Sequence, residues 1–169
     1  ISGIKVKKID AAIVAAREAG DEAGAAAREQ EKATFIYEDA HTMVKRYPND
    51  LQFRYELGYQ YYLRENYNEA IEEFQLAQRN PQRRIRALYF LSLCFKQKQQ
   101  YDIALEQLEK AASELHIMDD TKKDIYYEMG TLYELMGNPQ KAAQHFKEIY
   151  SVDIRYKDVA AKIEKAYTK

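Results

Sequence analysis

The chain has 169 residues, enough for one domain with a core of its own. Its 26 basic and 27 acidic residues leave a net charge of −1, so the chain as a whole should attract neither nucleic acid nor an anionic membrane. Cys94 is the single cysteine, which excludes a disulfide within the chain. No apolar run reaches the roughly 18 residues that a membrane span needs, and no signal peptide opens the sequence. We interpret the initial Ile1 as the start of a fragment or of a processed protein, and the compartment stays open, with the cytoplasm slightly favoured.

Residues 1–50 predict a helical segment, for which two arrangements fit. The repeat period found further along the chain, extended backward, gives a degenerate repeat at residues 17–50 with Pro48 near its end. A near-seven-residue spacing of apolar and small residues instead favours a long, coiled-coil-like helix. Its stripe from Ile4 to Ala16 would either pair two subunits or cap the first repeat. Gly20 and Gly24 each cost about 1 kcal/mol relative to Ala in a helix interior, so we expect a bend or break there.

A block of 34 residues starts at Leu51 and recurs at Ile85 and, after a four-residue insertion, at Lys123. Each copy carries apolar residues at helical spacing in two stretches, and Pro81 and Pro139 lie where helices should stop or start. Strand patterns do not develop, so the fold class is all-α. A domain at 51–169 is predicted, with repeats 51–84, 85–122 and 123–156 and a capping helix 155–168. The predicted repeat helices are 51–64, 67–79, 84–98, 101–116, 121–136 and 139–150.

Within each repeat, particular residue types recur at fixed offsets. Large, small and aromatic or bulky residues stand at positions seven, eight and eleven, and positions twenty, twenty-four and twenty-seven are apolar. A small residue at position eight would let the second helix approach near position twenty, while the aromatic residues would fill the wedge between hairpins. The residues are Leu57, Gly58, Tyr61, Ala70, Phe74 and Ala77 in the first repeat, Leu91, Ser92, Phe95, Ala104, Leu108 and Ala111 in the second, and Met129, Gly130, Tyr133, Ala142, Phe146 and Ile149 in the third.

These offsets resemble those of tetratricopeptide repeats, and the resemblance covers residues 51–167. Arg54 departs from the family pattern at a position where a large aromatic residue is usual, Pro81 comes one place early, and the third repeat lacks its closing proline. The resemblance implies a right-handed α-solenoid of about three stacked antiparallel helix pairs. It also implies a module that binds other proteins, such as a bacterial scaffold or assembly adaptor.

The family geometry would place positions two, five, nine, twelve and thirteen of each first helix on a concave groove that holds a helix or an extended peptide. Position five is a tyrosine in all three repeats, and tyrosine offers a large, rigid contact area with a polar tip. The best contact candidates are Tyr55, Tyr59 and Tyr89. The predicted groove residues are Gln52, Tyr55, Tyr59, Tyr62, Arg86, Tyr89, Lys96, Asp124, Tyr127 and Glu134.

Charge is distributed unevenly along the repeats. Residues 79–98 contain six basic side chains and no acidic one, whereas the third repeat carries Asp124, Glu128 and Glu134. This layout favours a partner with apolar anchors and charges of both signs, although Arg79, Arg83 and Lys98 are expected to be solvated. Chaperone-binding members of the family hold a terminal carboxylate with basic and amide side chains. That clamp is absent here, because the corresponding positions are Tyr55, Tyr59, Phe90, Asp124 and Glu128.

Catalytic and metal-binding patterns are absent from the sequence. His41, His116 and His145 lie in unrelated segments without a second ligand at metal-binding spacing, and Cys94 lies in an apolar helix where a buried thiol is expected. We therefore expect no enzyme, no cofactor and no metal. Two functions stay open: a module that binds a protein or peptide in its groove, and a structural unit that forms a homodimer through the N-terminal helix. Nucleic acid is not an expected partner.

Overall fold

The computed structural model describes residues 2–168, so Ile1 and Lys169, at the ends of the two predicted domains, lie outside the described residues. Within that range the chain is an all-α helical repeat solenoid of nine helices without a strand. Successive helices pack against each other in chain order. The helices are α1 Ser2–Glu18, α2 Glu22–Arg46, α3 Leu51–Leu63, α4 Tyr67–Ala77, α5 Arg84–Gln97, α6 Tyr101–Ser113, α7 Asp120–Leu135, α8 Pro139–Tyr150 and α9 Val159–Tyr167.

The N-terminal segment is an antiparallel hairpin of α1 and α2. The chain breaks at Gly20, which has a φ of +72°, a backbone conformation that glycine adopts without steric penalty. Asp21 then caps α2, because its carboxylate accepts a hydrogen bond of 2.8 Å from the Gly24 amide. The expected break is therefore at Gly20, while Gly24 lies in the first turn of α2. Helix α2 continues through residues 31–32, where the extrapolated repeat 17–50 would turn, so the observed hairpin has a different register from that repeat.

Most of the apolar stripe of α1 faces α2. Ile9, Ile13 and Ala16 are buried there, whereas Ile4 remains 62% exposed. Burying these three side chains holds the hairpin together, since apolar area removed from water is the main favourable contribution to folding. The stripe predicted for self-association is thus largely used inside the chain.

The three repeats form the hairpins α3/α4, α5/α6 and α7/α8, and the second helix of each hairpin packs on the first helix of the next. Six of the helices keep their predicted bounds to within three residues. The capping helix is the exception: α9 begins at Val159 rather than at 155. Residues 151–158 form turns instead, and Tyr156 and Asp158 from this segment make hydrogen bonds to α7. These polar contacts join the segment to α7.

The small residue at position eight makes a close approach between the helices of a hairpin. A Cβ built on Gly58 would lie 3.1 Å from the ring of Phe74, and one on Gly130 would lie 2.6 Å from the ring of Phe146. The nearest side chain in both hairpins is therefore the ring at position twenty-four, one turn beyond position twenty, near which the sequence predicted the approach. In the second repeat, where position eight is Ser92, position twenty-four is the smaller Leu108, and both are buried.

Arg54 replaces an aromatic contact with an ion pair. Its Nη1 lies 3.2 Å from both carboxylate oxygens of Glu73, and its Nε donates a 2.9 Å hydrogen bond to the carbonyl of Pro48. Both partners of the ion pair are mostly shielded from water, with side chains 20% and 13% exposed. This pair joins α3 to α4 at the position where the family pattern has a large aromatic residue.

Candidate binding surface on the first helices

The first helices of the three repeats, α3, α5 and α7, carry all ten predicted groove residues. We refer to the surface that they present as the first-helix face. Helices α3 and α5 contact each other directly. Between α5 and α7, contacts run through long polar side chains. The predicted residues therefore lie on neighbouring first helices, but their contacts within the chain differ from one helix to the next.

Phe90 on α5 is the centre of an aromatic cluster. Its ring stacks on Phe74 with centroids 5.4 Å apart and interplanar angle 9°. The ring is only 7% exposed, so it belongs to the core and supports its neighbours rather than meeting solvent. Sequence reasoning did not identify this role, although an aromatic residue one place after Tyr89 was the available signal. Four tyrosines lie around Phe90, with centroid distances of 6.3 Å for Tyr55, 5.3 Å for Tyr59, 5.1 Å for Tyr62 and 5.7 Å for Tyr89.

The four tyrosines differ in exposure. Tyr59 is 37% exposed and lies beside Tyr62 with nearly parallel rings. Tyr55 and Tyr62 are half-buried and pack against the core. Burial, with the carboxylates of Glu128 and Asp124 nearby, raises the pKa of the Tyr89 hydroxyl to about 12. Tyr59 is thus the most exposed of the four rings, and it lies against Phe90 and Tyr62.

Arg83 also belongs to this surface. Its Nε donates a 2.7 Å hydrogen bond to the side-chain oxygen of Gln52, and its guanidinium lies 5.1 Å from the ring centroid of Tyr55. The expectation that Arg83 is merely solvated is therefore wrong. Gln52, a predicted groove residue, is held in place by this contact and by a 3.0 Å hydrogen bond to Glu56.

The basic second repeat and the acidic third repeat neutralise each other inside the chain. Lys96 Nζ lies 2.6 Å from Glu128 Oε2, and the two side chains are 19% and 12% exposed. Arg86 lies 4.0 Å from Asp124 and also stacks over the ring of Tyr89. The charged side chains that the sequence predicted to face a partner therefore pair with each other and join α5 to α7.

The remaining groove candidates contact the C-terminal segment. The Tyr127 hydroxyl donates a 2.6 Å hydrogen bond to Asp158, and burial together with this carboxylate raises the pKa of Tyr127. Asp124 accepts a hydrogen bond from Tyr156. Lys162 Nζ lies 2.6 Å from Glu134. Asp124, Tyr127 and Glu134 thus join α7 to the C-terminal segment, although Glu134 stays exposed.

Other chemistry is sparse in residues 2–168. Cys94 is buried, and burial raises the pKa of its thiol to about 12, so the thiol stays protonated at neutral pH. Within the same residues, no three His, Cys, Asp or Glu side chains are grouped in a way that could hold a metal ion. None of the described helices combines the length and the apolar character needed to cross a membrane.

Comparison with models of protein families finds no match, and comparison with curated proteins finds none either. Solved structures do match. A crystal structure of MamA is 21% identical and superposes with a TM-score of 0.70, covering 85% of this chain and 81% of that one. Cut9 and Hcn1 in the APC/C hetero-tetramer give a match with TM-score 0.69 and 15% identity over 92% of this chain and 35% of that one.

A third similar structure contains the TPR-like repeats of a kinesin light chain from Podosopora anserina, with TM-score 0.63 and 15% identity over 96% of this chain and 85% of that one. All three identities are too low to transfer a function, but the likeness in backbone covers most of this chain. It agrees with the repeat offsets in the sequence and with the stacked hairpins. The chain therefore has the fold of the tetratricopeptide-repeat proteins.

Proposed function

We propose that the chain is a protein-interaction module, a scaffold or assembly adaptor without catalytic activity, which holds a helix or peptide of another protein on its first-helix face. The fold supports this proposal, because stacked helix pairs present long continuous surfaces. Among the similar structures, Cut9–Hcn1 is itself an assembly of two different proteins. Helical repeats of this kind therefore occur in protein complexes.

One observation carries the proposal: Tyr59 is an aromatic ring that is partly exposed yet fixed on both sides. Phe90 lies 5.3 Å from it in an edge arrangement, and Tyr62 lies beside it at 6.5 Å. A ring that is already ordered loses little conformational entropy when a partner covers it. Tyrosine is also among the residues most often found to dominate binding energy at interfaces. The arrangement is thus suited to anchor a partner.

The test compares Tyr59→Ala with Tyr167→Ala, the same substitution at an exposed ring on α9. Wild type and both variants are immobilised, and proteins captured from a lysate of the source organism are quantified by mass spectrometry. We expect a protein that wild type and Tyr167→Ala enrich equally and that Tyr59→Ala enriches at least tenfold less, in line with the roughly 2 kcal/mol of an interface hot spot. Equal capture by all three folded proteins would refute this role of the first-helix face.

A homodimer through α1 has less support, because Ile9, Ile13 and Ala16 are buried against α2. The substitutions Ile9→Asp and Ile13→Asp would therefore unfold the hairpin before they reported on association. Sedimentation velocity of the wild-type chain across a hundredfold concentration range is the better measurement. A concentration-independent monomer would remove this alternative.

A further inference from the structure

An apolar cleft opens at the first junction of the stack, between α1, α2 and the C-terminal half of α3. Its volume is about 790 Å³. Two of its lining side chains are half in solvent although both are aliphatic: Val14 is 54% exposed and Leu63 is 53% exposed. Apolar surface in a concave site is a common property of binding pockets. The apolar lining consists of Ile13, Val14, Ala33, Ile36 and Leu63.

Smaller cavities lie at later junctions, about 270 Å³ between α5 and α7 and about 550 Å³ between α7, α8 and α9, but side chains bridge those junctions. Tyr59 reaches Phe90 between α3 and α5, Lys96 reaches Glu128 between α5 and α7, and Glu134 reaches Lys162 between α7 and α9. Within residues 2–168, no hydrogen bond, ion pair or ring contact joins α1 to α3. The polar side chains of α1 instead bind α2, as in the 2.6 Å pair of Asp10 and Lys32. Among the described residues the first junction is therefore not bridged, and its floor on α2 combines Ala33 and Ile36 with polar side chains.

The mouth of the cleft carries one uncompensated positive charge. Among its lining side chains, Asp10 pairs with Lys32 and Glu29 pairs with Arg17. Arg64 makes no ion pair with a carboxylate of the described residues. Its guanidinium lies 3.8 Å from the ring centroid of Tyr37 and donates hydrogen bonds to the Ala33 carbonyl and to Gln60. A ligand with an acidic group near Arg64 would supply the missing charge.

The shape of the cleft fits a helix. Its walls extend from Asp10 to Arg17 on α1 and from Glu29 to Ile36 on α2, two turns or about 10 Å each. A smaller cavity of about 170 Å³ shares Ile36 with the cleft and continues between α2 and α3 to Tyr59. The path thus leads from the cleft onto the first-helix face. A row of apolar side chains on one helix fits a groove between two others.

We infer that this cleft binds an amphipathic helix of a partner protein, with apolar residues at i, i+4 and i+7 inserted between α1 and α3 and an acidic residue beside Arg64. The inference rests on the proposed function, because it specifies the kind of partner that the first-helix face receives. We infer a helix rather than an extended strand because all three walls are helices, whose backbone hydrogen bonds are made within each helix. The walls therefore offer no sheet edge to an extended strand.

The probes are three fluorescein-labelled 14-residue helical peptides. The first peptide has Leu at i, i+4 and i+7 and a Glu beside this row of leucines. The second peptide has Lys in place of that Glu. The third peptide has the composition of the first, with its Leu residues scattered around the helix. Fluorescence anisotropy measures their affinity for the wild-type chain. We expect the Glu peptide to bind about fivefold more tightly than the Lys peptide, and the scattered peptide not to bind. Equal affinity for all three peptides, or no binding of any, would overturn the inference.

Three variants locate the site. Leu63→Ala should weaken the Glu peptide about tenfold, because a contact of several methylene groups is lost. Arg64→Glu should invert the preference so that the Lys peptide binds better. Arg64→Gln removes the charge without adding an opposite one and should therefore abolish the preference. It also serves as the second variant in case a Glu at this position disturbs the packing on Tyr37. Tyr167→Ala is the control and should leave all affinities unchanged. Peptide binding that ignores Leu63 and Arg64 would place the site elsewhere and overturn the inference.

Tyr59→Ala separates this inference from the proposed function. If Tyr59→Ala abolishes binding while Leu63→Ala does not, the first-helix face binds a partner but the cleft does not receive it, and the inference fails. If only the Leu63 and Arg64 variants weaken binding, the inference stands and the anchoring role of Tyr59 fails. Sedimentation of the wild-type chain as a dimer that Leu63→Ala dissociates would identify the occupant as a second copy, which also overturns the inference.

Discussion

A cavity is present at each end of the stack, about 790 Å³ between α1, α2 and α3 and about 550 Å³ between α7, α8 and α9, but the two end junctions differ in how their helices are joined. Between α7 and the C-terminal cap, Tyr127 binds Asp158 and Lys162 pairs with Glu134, so the side chains of neighbouring layers are joined. Between α1 and α3 an apolar cleft remains, with Leu63 half exposed at its edge. The C-terminal junction therefore stabilises the fold through its own contacts. The N-terminal junction keeps apolar surface that only another molecule could cover.

The two ends also differ in how tightly individual side chains are packed. At the C-terminal end, Gly130 lies so close to Phe146 that a Cβ would stand 2.6 Å from the ring. At the N-terminal end, Val14 is 54% exposed to solvent. Substitutions should therefore lower stability at the C-terminal end and affect binding at the N-terminal end.

Phe146→Ala should lower the free energy of unfolding by about 3–5 kcal/mol, the usual effect of removing a fully buried aromatic ring. Phe146 is 1% exposed and lies between the glycine of α7 and the contacts of α9. Urea denaturation followed by circular dichroism measures the change, with Tyr167→Ala as a control that should stay within about 0.5 kcal/mol of wild type. A loss below about 1 kcal/mol would show that the C-terminal junction is not tightly packed.

Gly130→Ala and Gly58→Ala make the same change at the same repeat position in different surroundings. Alanine gains up to about 1 kcal/mol in helix propensity at both sites. At Gly130 the new methyl group would overlap the ring of Phe146 at 2.6 Å, so we expect a net loss of about 1–3 kcal/mol. At Gly58 the nearest ring atoms are 3.1 Å away and the net change should stay within about 1 kcal/mol. Thermal and urea unfolding would measure both, and equal losses would contradict the proposed difference in packing.

Alkaline pH should lower the free energy of unfolding, because the hydroxyl of Tyr89 is harder to ionise in the folded chain than in the unfolded chain. Burial raises the pKa of Tyr89 to about 12, above its ordinary value of 10.0. The folded state then holds this proton more tightly than the unfolded state, so the contribution to stability is complete below pH 10 and is lost as the pH rises from about 10 to 12. Urea midpoints at pH 9 and pH 11 should fall less in Tyr89→Phe than in wild type. Tyr167→Phe is the matched control, and the same fall in all three proteins would contradict the assignment to Tyr89.

The repeats were predictable because their packing depends on residue size at fixed offsets. A glycine at position eight and an aromatic ring at position twenty-four encode one close contact, and the contact recurs wherever both residues recur. Residues 1–50 carry no such pair of residues. The sequence therefore indicated helices and a break near Gly20, but it did not indicate that α1 would fold back along a 25-residue α2.

The candidate surface was predictable only in part. The tyrosines of the first helices were identified, but their exposure depends on Phe90, whose position is not among those expected on the groove. The charges were read as free for a partner, whereas most of them bind the next layer. Pairs such as Lys96 with Glu128 lie about one repeat apart in sequence, so a search for opposite charges at that separation would have found them. The cleft has no signal of this kind, because it arises from the spacing of two helices.

Leu63→Ala should have the smallest effect on stability, within about 0.5 kcal/mol, since its side chain is 53% exposed. The matched control is Leu57→Ala on the same helix. Leu57 is only 4% exposed, so its truncation should lower the free energy of unfolding by about 2–5 kcal/mol. Urea denaturation compares the two variants. If Leu63→Ala also cost more than about 1 kcal/mol, the leucine would be stabilising α3 against α2 and the cleft would be part of the core. A stable Leu63→Ala protein that loses affinity for an amphipathic helix would instead show that this leucine contributes to binding and not to folding.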